Sequence, residues 1–254
     1  MDIDKQLIGL RFANRLATYH RQAVVQKEMA WRLSAEIGHR KADAEGLRGL
    51  ELGIGTGFLS IRLLDKYPSA TWYFNDLVPQ AFDWISKGGT PNLIFCLPGD
   101  AEQITFPKEL DILASASAMQ WFENLPAFFT KAHAALKPGG LLALGTFAPG
   151  NLNEVRLTTG SGLEYPSVDR LEQWLLAAGF CGLHVDRWER ALTFPNAAAV
   201  LRHLRDTGVN AVTSAIWTPH RLHRFCENYD RLFRTGNGSV TLTYKPLLLT
   251  AERR

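Results

Sequence analysis

Cysteine is scarce and scattered: Cys96, Cys181 and Cys226 are the three in 254 residues, with no CxxC pair and no His-rich neighbourhood. Such a set argues against a disulfide framework or a zinc site, and is expected of reduced thiols in a cytoplasmic protein. No metal-ligand spacing occurs elsewhere, so no metal is expected. A run of about 18 uncharged apolar residues, the minimum for a membrane span, is also missing. The N-terminal MDIDKQLIGLRFANRL has no apolar stretch long enough for the core of a signal peptide. There is no internal repeat. Net charge is +3, too small to indicate nucleic-acid binding. What remains is an ordinary globular composition, 46% hydrophobic and 21% charged, in a chain long enough to bury a full core. The charge is unevenly placed. From Asp186 onward there are eleven Lys and Arg against six Asp and Glu, a local net of +5.

The first 40 residues read as helical, with Val24, Val25, Met29, Ala30 and Leu33 near helical spacing and Gly38 as the stop. Residues 46–52 read as a buried strand leading into ELGIGTG, then an amphipathic FLSIRLLDKY ended by Pro68. ATWYFND reads as a second strand and 78–87 as a helix. NLIFCL and LDILASAS are further strands. Asn124 caps a helix with Pro126 in its first turn, expected to end at LKPGG, and LLALGTF is a further buried strand. This alternation predicts an α/β fold with a doubly wound, mostly parallel sheet. Beyond it, 151–178 reads as mainly helical, 182–193 as a strand, and 196–206 and 219–233 as helices. SVTLTYKPLLLTAE reads as a last strand, antiparallel, so that about 150–235 contains a helical cap or insertion. The expected division is a helical lid (1–40), a cofactor-binding core (41–150), a C-terminal part with the cap (151–235) and a final strand (236–254).

The strongest local signal is Glu51-Leu52-Gly53-Ile54-Gly55-Thr56-Gly57 at a strand-to-helix junction. Gly53 and Gly55 permit a sharp turn and close approach to a ligand, and Gly57 opens the helix. Nicotinamide and flavin enzymes use similar loops, but with G-x-G-x-x-G spacing rather than G-x-G-x-G. Glu51 would repel a pyrophosphate, yet could help hold the ammonium of a methionine moiety. Asp76 closes the second strand, where an acid can accept both ribose hydroxyls; it is equally a turn or N-cap residue. Asp100 and Ala101, in GDAE after the third strand, suit an adenine amino group and ring, or form a plain loop. Together, at the carboxyl ends of successive strands, these features are much stronger than singly.

ELGIGTG, the acid at Asp76, GDAE and LKPGG in register resemble the class I S-adenosylmethionine methyltransferases over residues 46–147. Four further passages are similar to the malonyl-acyl-carrier-protein O-methyltransferases that begin biotin synthesis. They are FANR with Thr18-Tyr19 and AVVQ (12–26), SASAMQW (115–121), FPNAA through LRHLRDTGVN (194–210), and LTY (242–244). The chain departs from that family at His20, at Val240-Thr241 and around 156–166. The resemblance implies a seven-stranded sheet and S-adenosylmethionine as cofactor, with S-adenosylhomocysteine as product. The implied cofactor set is Phe12, Gln26, Glu51, Gly53, Gly55, Gly57, Asp76, Leu77, Asp100, Ala101 and Ser115. The implied reaction is esterification of the free carboxylate of malonyl-acyl-carrier protein, with Tyr19, Gln120 and Trp121 at the methyl-transfer pocket. Tyr19, Trp121 and Phe12 also suit core or packing aromatics, and Gln26 a solvated helix position.

Arg187, Arg190, Arg202, Arg205, Arg221, Arg224, Arg231 and Arg234 suit a docking surface for an acidic carrier protein, or an ordinary solvated helix face. Competing functions are methylation of a small molecule on oxygen or nitrogen, a nicotinamide oxidoreductase, and a non-catalytic binding protein.

Overall fold

The computed structural model of the chain describes residues 4–42, 44–85, 93–208 and 218–254. Ser86 and Lys87 of the expected 78–87 helix, Asn92 of the third strand, and Val209-Asn210 of the cap passage lie outside the described residues.

The strands are β1 (Arg48–Leu52), β2 (Thr71–Asp76), β3 (Leu93–Pro98), β4 (Leu110–Ala116), β5 (Leu136–Phe147), β6 (Phe180–Arg187), β7 (Arg190–Phe194), β8 (Val240–Tyr244) and β9 (Pro246–Arg253). Seven of them form one sheet in the order β3-β2-β1-β4-β5-β9-β6. The first five are mutually parallel, and β9 runs antiparallel to both β5 and β6. Strand order reverses between β1 and β4, which opens a crevice at their carboxyl ends. The expected α/β class with an antiparallel last strand is the observed one.

The helices are α1 (Lys5–Ala13), α2 (Leu16–Gln22), α3 (Val24–Arg40), α4 (Ser60–Lys66), α5 (Leu125–Ala135), α6 (Asn153–Thr159), α7 (Val168–Ala177), α8 (Ala197–Asp206) and α9 (Pro219–Phe233). Strand residues alternate between two cores, as a period of two requires. Ile112, Ala114, Leu141, Ala143 and Leu248 face α3 and α4. Leu113, Leu142, Leu144, Leu247 and Leu249 face α5 and α7. On α3, Val25, Met29, Leu33 and Ile37 fall four apart and are all buried. Each such side chain contributes roughly 1.5–3 kcal/mol of transfer free energy, enough to hold this helix on the sheet.

Helix starts follow local chemistry. Asn124 accepts from the Ala127 amide (3.0 Å), Asn196 from Ala199 (3.0 Å) and Ser167 from Arg170 (3.2 Å). One helix end departs from expectation. Gly38 does not stop α3, which runs on to Arg40 with the Lys66 side chain packed over that glycine. Helix α5 ends at LKPGG as expected, with Leu136 as its C-cap. Leu136 is fully buried and pairs with Leu110, so the chain is already extended there, with a register shift before Ile112.

Within 78–85, Pro79–Trp84 form a 3-10 turn rather than the expected α-helix. Residues 160–167 separate α6 from α7 without helix. The strand expected at 182–193 is two, because the chain turns at Trp188-Glu189 and leaves the main sheet. The tail is also two strands. β8 pairs with β7 in a separate antiparallel ribbon, and after Lys245 the chain enters the main sheet as β9. Pro246, lacking an N–H, fits a first strand position. The ribbon encloses α8 and α9, and this cap joins the α3 side of the core through Val200, Leu204, Phe225, Tyr229 and Leu242.

Candidate active site

The carboxyl ends of β1, β2 and β3 are stitched by their own backbone. The Gly53 amide donates to the Asn75 carbonyl (2.8 Å) and the Gly99 amide to the Asp76 carbonyl (2.9 Å). The Asn75 side-chain amide donates to the carbonyls of Leu97 (2.7 Å) and Gly99 (2.8 Å). Gly53 sits at φ +69°, and a Cβ there would lie 2.4 Å from the Ala118 methyl, so only glycine fits the turn.

Above these ends lies a cleft with about 940 Å³ of space, the open solvent at its mouth included. Glu51, Gly53, Gly55, Asp76, Leu77, Asp100 and Ala101 line it from the strand ends, and Phe12, Tyr19 and Gln26 from α1, α2 and α3. Two members of the expected cofactor set do not. Ser115 is fully buried, its hydroxyl spent on the Leu52 carbonyl at 2.9 Å, so it ties β4 to β1. Gly57 lies behind the loop, facing Ile61 and Ile85.

The acids differ in environment. Glu51 is 1% exposed and its Oε2 has no hydrogen-bond partner among the described residues. Burial, reinforced by the nearby Asp76 carboxylate, pushes its pKa up to about 8. Asp76 accepts from the Gly55 amide through Oδ2 and from the Val78 amide through Oδ1, both at 2.8 Å. Burial raises its pKa, and these amides offset part of the rise. Asp100 accepts from Lys5 on α1 at 2.8 Å, and the same ammonium bonds Glu102. Glu102 in turn accepts from the amides of Glu123 and Asn124, both at 2.8 Å, so Lys5 fastens the N-terminal helix over the loop after β3.

A second cavity, with about 390 Å³ between its walls, adjoins the cleft and shares Phe12, Tyr19, Gln26, Ser117 and Trp121 with it. Gln120 lines this cavity and not the cleft; its Nε2 donates to the Ser117 carbonyl (2.7 Å), and its buried Oε1 is unpartnered among the described residues. Ser117 and Leu152, two walls of this cavity, have left-handed backbone (φ +62° and +54°), a strain that collects at functional sites. Tyr19 stands between the two spaces, buried, its ring 4.8 Å from Phe12 and 5.9 Å from Phe58. Burial and the Asp76 carboxylate raise its pKa, so the phenol stays protonated. His20, a departure from the family pattern, points away and stacks on Trp84 (4.6 Å) and Phe58 (5.0 Å).

Sequence reasoning missed Lys5 on the cleft, and Asn151, Tyr165, Thr207 and Tyr244 on the second cavity. Tyr244 lies in a passage the sequence singled out, but as strand only. Among the described residues no group of three or more His, Cys, Asp or Glu is placed to hold a metal. No helix among them is long and apolar enough to cross a membrane.

A family model described as a methyltransferase domain matches residues 50–144. The chain is 37% identical to the malonyl-[acyl-carrier protein] O-methyltransferase of Bacteroides helcogenes, over 99% of this chain and 100% of that protein. It is 36% identical to the enzyme of the same name from Haemophilus ducreyi, over 98% and 97%. Among solved structures, the YcgJ protein of Bacillus subtilis is similar with a TM-score of 0.64 at 16% identity, covering 87% of this chain and 97% of that one. A Haemonchus contortus phosphoethanolamine N-methyltransferase in complex with S-adenosyl-L-methionine matches with a TM-score of 0.56 at 14% identity, covering 88% and 52%. Those two likenesses establish the fold. The full-length identities establish more, and the chain belongs to the malonyl-[acyl-carrier protein] O-methyltransferase family.

Proposed function

We propose that this chain uses S-adenosylmethionine to methylate the free carboxylate of a malonyl group carried on acyl-carrier protein, the entry reaction of biotin synthesis. The observation that carries the reading is the pairing of the two spaces. A cleft edged by three carboxylates meets a second cavity across Tyr19 and Trp121.

The buried Glu51 carboxyl, whose Oε2 has no partner among the described residues, fits the cofactor's ammonium, and Asp76 keeps acceptor lone pairs for ribose hydroxyls beyond its amide bonds. Asp100 and Ala101 fit the adenine. Bound there, the cofactor supplies an electrophilic methyl group whose bond to sulfur breaks, leaving the electron pair on sulfur, as a carboxylate oxygen bonds the carbon. The acceptor is ionised at neutral pH, so no side chain need remove a proton. The protein's work is alignment and exclusion of water. Phe12 and Trp121 wall the junction, and the protonated Tyr19 hydroxyl donates toward an acceptor oxygen.

We place carrier docking on the cap. All eight arginines of the sequence expectation are exposed. Arg205, Arg190 and Arg234 have acid neighbours at 3.3–3.8 Å. Arg202, Arg221 and Arg224 have none among the described residues. Helix α8 turns Thr207 to the second cavity and Arg202 and Arg205 to solvent, so one helix links pocket wall and basic surface.

The test is incubation with methyl-labelled S-adenosylmethionine and malonyl-acyl-carrier protein. A base-labile methyl ester that does not form on acetyl-acyl-carrier protein is expected. Cofactor binding without transfer would overturn the substrate and leave the fold standing.

A further inference from the structure

Among the described residues the second cavity is lined without charge. The thirteen of them that line it include tyrosines, amides, a serine and a threonine, but no Arg, Lys, His, Asp or Glu. If an anionic acceptor enters here, its charge must be met by neutral donors.

Two phenols are prepared for this. The amide of Asn151 has a fixed orientation, because the Lys245 backbone N–H donates to its Oδ1 (2.9 Å) and only an oxygen accepts. Its Nδ2 therefore faces Tyr165 and donates to that hydroxyl oxygen at 3.0 Å, which leaves the Tyr165 proton for another acceptor. The Tyr244 hydroxyl lies 2.9 Å from the buried His203 Nε2. The rings of Tyr165 and Tyr244 both stand against Phe147, with centroids 6.1 and 5.9 Å away. Tyr244 is fully buried, and its hydroxyl is close enough to feel those of Tyr165 and Tyr19.

We propose that Tyr165 and Tyr244 bind the acceptor carboxylate, with Asn151 and His203 as positioning residues that turn the two phenolic protons into the cavity. In this arrangement His203 carries its proton on Nε2 and donates it to Tyr244. A carboxylate is acceptor-only, so it takes several phenol donors at once. A neutral cradle also suits the reaction. The acceptor's negative charge vanishes as the ester forms, so a cation here would stabilise the starting anion more than the transition state. The neutral ester holds the same donors less tightly, which favours its release.

This inference rests on the carboxyl-methylation reading, and the experiment separates the two. Wild-type turnover of malonyl-acyl-carrier protein comes first; its absence overturns the reading and the inference with it. Given turnover, Tyr165→Phe and Tyr244→Phe are each expected to lower kcat/KM about 10- to 100-fold, mostly through KM, as for a lost hydrogen bond to a charged group. S-adenosylhomocysteine affinity serves as the control for folding and is expected to stay unchanged. His203→Gln, which retains an N–H donor, is expected to keep KM within a few-fold, and His203→Phe to match the Tyr244→Phe loss. Folded phenylalanine variants with wild-type KM, or equal loss in both His203 variants, would overturn the inference and leave the function intact.

Discussion

Glu51→Gln isolates the electrostatics of the cofactor cleft. With its pKa pushed up to about 8, the Glu51 carboxyl in the unliganded protein is mostly protonated at pH 7. Pairing with the cofactor's ammonium requires its ionisation, which one unit below the pKa costs about 1.4 kcal/mol. A buried pair whose breakage costs about 3–5 kcal/mol still leaves roughly 2–3.5 kcal/mol at pH 7. Removing it should therefore weaken S-adenosylmethionine binding on the order of 30- to 300-fold. Calorimetric titration in two buffers of different ionisation enthalpy should show about 0.9 proton released per cofactor bound at pH 7 in the wild type, and almost none in the variant. Wild-type affinity should rise up to tenfold per pH unit from 6 to 7 and flatten near 8, while the variant stays level over that range. The unliganded protein gives an independent sign check. A carboxyl raised from an ordinary 4.5 to about 8 favours the fold while protonated, so stability is lost as pH rises between those values, on the order of 3 kcal/mol by pH 7. The variant should escape that loss and unfold later than the wild type at pH 8. Wild-type binding that neither releases a proton nor depends on pH would refute this account of Glu51.

Three further outcomes are expected. Gly53→Ala forces a left-handed alanine against the Ala118 methyl 2.4 Å away, costing about 2–5 kcal/mol; thermal unfolding should fall by roughly 5–15 °C, and adding Ala118→Gly should recover part of it. Lys5→Met removes the ion pairs to Asp100 and Glu102; hydrogen exchange across 5–13 should accelerate and cofactor affinity should drop a few-fold, with the wild type approaching the variant at high salt. Arg221→Glu with Arg224→Glu should raise KM for the carrier-bound substrate at least tenfold and flatten its salt dependence, with the cofactor dissociation constant unchanged in direct titration.

The cofactor half of the site was legible because it is local. Glu51 and Asp76 lie at the carboxyl ends of β1 and β2 and Asp100 just beyond β3, and the glycines at 53 and 55 mark where the backbone must turn. Ser115 shows the limit of that reasoning. It pairs in register with Leu52 inside the sheet, and its hydroxyl is turned into β1, a fact set by strand register that no motif displays. LKPGG marked the end of α5, but the pairing of Leu136 with Leu110 straightens the chain before the proline and glycines are reached. Of the second cavity, the wall made by Tyr19, Gln120 and Trp121 was expected from the sequence, and the far wall was not. Asn151 is 94 residues from the Lys245 amide it holds, and His203 is 41 from Tyr244. Neither distance carries a periodic signal. Tyr244 read as strand whichever sheet it joined, and the break at Lys245-Pro246 decides that it belongs to the cap ribbon beside α8.

The two half-sites are roofed by the same two helices, and the strength of their fastenings bears on turnover. At one end Lys5 joins α1 to Asp100 and Glu102; at the other Arg15 reaches Asp206 of α8 at 3.3 Å. These pairs keep partial contact with solvent, and such ion pairs are typically worth about 1 kcal/mol or less each. Between them Phe12 and Tyr19 press on the glycine loop, within about 4 Å of where a Gly55 side chain would begin, and Phe12 also packs on Gly208 of the cap. Aromatic burial therefore supplies most of the closing force, and it acts on the cofactor cleft and the acceptor cavity together.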